Sequence, residues 1–133
     1  MLMQRALPLT LALLLGTSAL GSDETLDAKA VSKVSAQNVT LQGDTVSGVV
    51  VNGSPHTVRD VKLEITYGWL WKNERHPGTD NPGRTDSYTL PGEIPPGGSV
   101  PLTYRPSSPL PSRSDGTFTA SATVIGFTEV IPQ

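Results

Sequence analysis

Most of the side chains in this chain that could do chemistry lie between residues 69 and 86. Trp69 and Trp71 occupy alternate positions of VKLEITYGWLW, and KNERHPGTDNPGRTD follows at 72–86. An indole pair on one strand face can stack on a sugar ring, or it can plug the end of a hydrophobic core. The large apolar area of each ring favours the plug, and a sugar platform requires one indole face to be open. By residue type, Glu74, His76, Asp80 and Asp86 could ligate a metal. Their spacing matches no calcium loop, so no metal is expected. Arg75, Arg84 and Arg113 could gather an anion, though solvated charges beside acidic neighbours are the simpler expectation. The candidate ligand-binding residues are therefore Trp69, Trp71, Arg75, His76 and Arg113.

Catalysis finds little support. A serine–histidine–acid set would have to draw on Ser112, His76 and Asp80, and no nucleophile elbow accompanies them. His56 is the only other histidine. There is no cysteine, which removes thiol nucleophiles, disulfides and cysteine-based metal sites. The expectation is a non-catalytic protein without a cofactor.

The chain opens MLMQRALPLTLALLLGTSALGSDE. One basic residue, Arg5, precedes the apolar run from Ala6 to Leu15, and small residues follow. Ala19 and Gly21 stand three and one residues before Ser22, as a secretory signal cut after Gly21 requires. The apolar run is short for a bilayer span, which takes roughly 20 residues. The expectation is a signal peptide at 1–21, no transmembrane anchor after cleavage, and a periplasmic or secreted product. Loss of Arg5 from ten basic residues leaves nine against twelve acidic ones, a net charge of about −3. No basic cluster is present, so nucleic acid is not an expected partner. About 110 residues remain, enough for one core without disulfides.

The elements that must position these residues read as strands. Residues 22–33, SDETLDAKAVSK, form a polar lead, and the domain starts near Val34. Alternation and turn residues predict strands at 35–42, 45–52, 60–71, 86–90, 98–104 and 117–125. In the third, Val61, Leu63, Ile65, Tyr67, Trp69 and Trp71 share a face if no bulge intervenes. Pro101 has no N–H for a ladder, so either its strand is an edge or Pro101 sits at the start of the strand. Phe118, Ala120, Ala122 and Val124 face inward; Phe127 reverses that parity, which predicts a bulge or bend at Gly126, within one strand or between two. In GEIPPGGSVPLTY, Pro95-Pro96-Gly97-Gly98 predicts a hairpin reversal between DSYTL and SVPLTY. Short strands with turns between them predict a β-sandwich.

Three stretches carry a resemblance: VSGVVVNGSPHTVRDVKLEITYGW, LPGEIPPGGSVPLTY and FTASATVIGF. Together they resemble the bacterial FxLYD-type and related immunoglobulin-like extracytoplasmic domains. Val46, Gly48, Val50 and Asn52 match the first pattern of that family. Val58, Asp60, Val61, Leu63, Ile65 and Tyr67 match its central strand, and Pro96, Gly97, Ser99 and Leu102 match its corner. The similarity spans 34–131, with an insertion after the central strand at GWLWKNERHPGTDNPGRTD. It implies an all-β, immunoglobulin-like antiparallel β-sandwich of six to seven strands over 34–133. It also implies a small exported module of the cell envelope with no catalytic residues.

Antiparallel succession puts the turn at Gly43 and the segments 72–86 and 105–116 at one end. The turns at 53–59 and 91–98, with His56, fall at the other. Loops on such a scaffold carry binding, and the strand near Leu102 could accept a partner strand at its edge. The expected function is a binding or structural module that contacts an envelope or secreted protein. The alternative is a carbohydrate-binding module using Trp69, Trp71 and 72–86. The sequons at Asn38 and Asn52 are read as chance matches, with Asn52-Gly53 serving a turn.

Overall fold

The computed structural model describes residues 33–132. The expected signal peptide at 1–21 and nearly all of the expected lead at 22–33 lie outside the described residues. Among the described residues there are six strands and no helix: β1 (Val34–Gln42), β2 (Thr45–Asn52), β3 (Thr57–Trp71), β4 (Arg84–Ile94), β5 (Ser99–Tyr104) and β6 (Gly116–Val130). They form two antiparallel sheets of three strands, ordered β1-β2-β5 and β4-β3-β6.

Alternation along the strands builds the core. Val61, Leu63, Ile65 and Tyr67 of β3 are buried, while Lys62, Glu64 and Thr66 are exposed. Val46, Val50 and Leu102 face them from the β1-β2-β5 sheet, and Val34, Val58, Leu90, Ile94, Val124 and Phe127 complete the cluster. Each sheet thus hides one apolar face against the other, the arrangement that removes period-2 apolar surface from water.

The ladders are interrupted where the sequence supplies unusual backbone. Asn38 and Asp60 have positive φ, 55° and 51°, and the pairing shifts register at both. Asparagine and aspartate tolerate this left-handed region better than other side chains. At Gly126 the ladder steps from Lys62↔Gly126 to Leu63↔Val124, leaving Ile125 extra and 46% exposed. That bulge lets both Val124 and Phe127 point inward, as the parity reversal requires. Pro101 sits opposite Val49 on β5, an edge strand, where a missing N–H is tolerated.

Two expectations need correction. Residues 95–98 do not join a hairpin. β4 and β5 belong to different sheets, so this corner carries the chain across the core. The turn chemistry is as expected: Gly98 N–H donates to Pro95 O at 2.9 Å, and Gly97 has φ of 71°. Proline followed by a positive-φ glycine is the type II signature. The strands also exceed their predicted bounds. β3 begins at Thr57, beyond the bulge at Asp60, and β4 runs through Pro91 and Gly92 to Ile94.

Asn52 anchors this lower end. It is fully buried, and its Nδ2 lies 2.8 Å from His56 O, 2.9 Å from Ile94 O and 3.1 Å from Pro95 O. Its Oδ1 accepts from Ser54 N–H at 2.9 Å. Its main chain bonds Gly97 and Gly98 of the corner. A buried carbonyl without a donor costs about 1–3 kcal/mol. Asn52→Ala is therefore expected to lower unfolding free energy by roughly 3 kcal/mol. Asn52→Asp, which sets a carboxylate against carbonyl oxygens, is expected to lower it further. Urea denaturation of the three proteins checks the order; equal stability of Asn52→Asp and the parent would refute it.

Candidate functional site

The strand directions bring the β1–β2 turn and the loops 72–83 and 105–115 to the end opposite Asn52. Tyr67, the last fully buried residue of β3, donates its hydroxyl to Asp44 O in the β1–β2 turn at 3.1 Å. Tyr104 of β5 donates to Asp86 Oδ2 of β4 at 2.7 Å, which ties one sheet to the other. Burial pushes both phenols up to about 12, with the negative charge of Asp86 adding to the effect. Arg84 is spent on this cluster. It pairs with Asp86, reaches Ser108 O, and lies 5.7 Å from the Tyr67 ring centroid.

Above Tyr67, the same face of β3 carries Trp69 and Trp71, both half-buried. Their rings meet nearly at right angles, 86°, with centroids 5.7 Å apart. Phe118 of β6 backs Trp69 at 4.7 Å. Neither indole is a simple core plug, and neither presents an open platform. The guanidinium of Arg113, from the 105–115 loop, lies 5.1 Å from the Trp69 centroid and 5.5 Å from that of Trp71. Such a cation is attracted to the negative face of each ring.

Two carboxylates hold that guanidinium in place. Asp80 Oδ2 is 2.6 Å from Nη1, and Asp115 Oδ2 is 2.7 Å from Nη2. Asp115 Oδ1 also accepts from Nε at 2.9 Å, so the Asp115 contact is a two-pronged fork. Hydrogen bonding to Arg113 holds the carboxyls of Asp80 and Asp115 below the usual range, and the same bonds, Asp115 first, raise the guanidinium. The two loops are thus latched together across the indoles. Gly116 makes the close approach possible: a Cβ there would come within 2.4 Å of both Leu70 O and the Trp69 ring. A Cβ on Gly78 would meet the Trp71 ring at 2.6 Å. The indole N–H of Trp69 is buried without a partner.

Of the sequence candidates, Trp69, Trp71 and Arg113 come together. Arg75 and His76 do not join them; both are exposed on the 72–83 loop, and among the described residues their hydrogen bonds run from main-chain N–H groups to Asn73. An anion cluster of Arg75, Arg84 and Arg113 does not form, because Arg84 and Arg113 each spend their charge on separate aspartates. Asp80 binds Arg113 rather than His76. Among the described residues, no three of His, Cys, Asp and Glu converge as metal ligands. His56 lies at the opposite end, 2.7 Å from Glu129. Asn52 of the second sequon is buried, unlike Asn38 of the first.

Sequence reasoning missed Asp115 as a partner of Arg113 and read Asp80 only as a possible metal ligand or as the acid beside His76. The signal was the Arg113-Ser114-Asp115 spacing, which sets two opposite charges side by side in extended chain. Asp80 carried no such signal, since it lies 33 residues away. A scan against protein-family models, a search of curated proteins and a search of solved structures return no match to this chain.

Two outcomes follow from the latch. Gly116→Ala forces a methyl group into the Trp69 ring and a carbonyl, and overpacking of this kind costs about 1–3 kcal/mol; thermal unfolding measures it. The depressed carboxyls make the latch pH-dependent. Its contribution is complete above the unfolded carboxyl value, about 4, and is lost as pH falls through the lower folded values. Tryptophan emission is expected to show a step below about pH 4 that is absent from an Asp80→Asn, Asp115→Asn double variant. An identical step in that variant would assign it elsewhere.

Proposed function

We propose that this chain is an exported, immunoglobulin-like β-sandwich, similar to the FxLYD-type domains, that serves as a non-catalytic binding or structural module of the cell envelope. The observation that carries the reading is the convergence of the loops 72–83 and 105–115 at one end of two packed sheets. Rigid strands presenting joined loops are a general solution for recognition. The partner is an envelope or secreted protein, met at this loop end. The β5 edge offers a second means of contact, since β2 occupies only one of its sides. The signal-like N-terminus supports export.

The carbohydrate reading has one observation in its favour, the paired indoles at the loop end. It carries a requirement too: a sugar can stack on either ring only if Arg113 leaves.

The test combines localisation with site-directed crosslinking. Expression with the native N-terminus in a bacterial host should yield a periplasmic or secreted product beginning at Ser22, read by mass spectrometry. A photo-crosslinking residue at exposed Glu74 or Ser112 should capture an envelope protein in its native host, whereas one at exposed Glu93, near the other end, should not. An uncleaved cytoplasmic product, or crosslinks from Glu93 alone, would overturn the reading.

A further inference from the structure

The contacts of Arg113 describe a site as well as a latch. Two indoles stand at right angles and form the walls of a corner. Carboxylates flank the space between them, and a planar guanidinium fills it. Those two carboxylates outnumber the single cation, so the corner keeps a formal excess of negative charge with Arg113 in place. Orthogonal aromatic faces with forked carboxylates favour guanidinium over ammonium. Its plane can stack while its N–H groups pair in two prongs.

The occupant is also replaceable. The Asp80 and Asp115 side chains are 61% and 51% exposed, so solvent and a ligand can reach them. Salt reaches and screens these pairs from their carboxylate side, although the Arg113 side chain itself is only 22% exposed. Arg113 belongs to a loop outside the strand ladders, 105–115, which contains three prolines. A shallow groove beside the corner, lined by Leu41, Gly43, Trp69, Pro111, Arg113 and Phe118, gives access to Trp69 and the guanidinium.

We propose that Trp69, Trp71, Asp80 and Asp115 form a guanidinium-recognition box, occupied by Arg113 and opened when an arginine side chain of a partner protein takes its place. The proposal rests on the reading of the loop end as the contact surface, and it names the chemistry of the contact. Arg113 acts as an internal competitor. A tethered group has an effective concentration in the millimolar range or above, so a free guanidinium must exceed that to displace it.

The test removes the competitor. Arg113→Ala, with folding checked by circular dichroism, is titrated with N-acetylarginine amide and followed by the indole N–H resonances of Trp69 and Trp71. Saturable shifts are expected, with half-saturation at least about tenfold lower than for the parent protein. The parent should reach the same end point at higher concentration. N-acetylcitrulline amide, which has nearly the same shape and no charge, should produce no saturation. Adding Asp80→Asn and Asp115→Asn should abolish the response. Arg113→Gln, which keeps more of the side-chain bulk, replaces Arg113→Ala if the latter fails to fold.

Three results would overturn the proposal: no saturation in a folded Arg113 variant, an equal response to the citrulline compound, or a parent that never responds. If the box binds arginine but crosslinking finds no partner at the loop end, the contact-surface reading falls and the box stands. If a partner crosslinks there while the box stays inert, the box falls alone.

Discussion

The buried carboxamide of Asn52 is the constraint on which the arrangement of the two sheets depends. It ends β2, yet its Nδ2 faces carbonyls of the loop entering β3 and of the corner leaving β4. β2 lies in one sheet, and β3 and β4 lie in the other. One side chain therefore sets the spacing at which the corner 95–98 can cross between them. Without it, several main-chain carbonyls would be withdrawn from water with nothing in exchange. A neutral amide suits this position because it donates and accepts together, as Ser54 N–H and the three carbonyls require.

The two ends of the molecule are held by different physics. At one end the anchoring group, the Asn52 carboxamide, is buried, neutral and densely hydrogen-bonded. The opposite end begins with the Tyr67 and Tyr104 hydroxyls, which still join strand to turn and sheet to sheet. Beyond them the structure depends on half-buried indoles and exposed ion pairs around Arg113. Local opening takes least free energy where backbone and charges are solvated. The loops 72–83 and 105–115 are thus the segments able to rearrange while the sheets stay closed. The proposed recognition role would use this division, with a scaffold that resists change and a loop end at which one cation would exchange for another.

Much of the scaffold was readable from residue order because period-2 alternation is a local property. Val61 through Tyr67 revealed the buried face of β3, and Phe127 after Gly126 revealed the bulge in β6. Pro101, through its missing N–H, narrowed its strand to an edge or a strand start, and the edge is what forms. The misreading at 95–98 has an equally physical cause. A type II turn reverses the chain in the same way whether the next strand pairs with the last or lies in the facing sheet. Proline and glycine specify the bend and leave the destination open. Asp60 was legible only as part of a resemblance; its positive φ and the resulting register shift depend on pairing with β4 and β6.

The site was legible in its members and not in its connections. Trp69 and Trp71 share the inward face of β3 by parity alone, and antiparallel succession alone brings the two long loops to their end of the fold. Those conclusions needed only the strand repeat and the order of elements. Tertiary structure decided what covers the indoles. Arg113 and Asp80 are 33 residues apart and meet because separate loops, one joining β3 to β4 and the other joining β5 to β6, close over the same rings. It also decided that Arg75 and His76, adjacent in sequence to those rings, stay in solvent. Charge and ring type are written in the residues, whereas the partner of a charge depends on which distant backbone the fold brings within hydrogen-bonding reach.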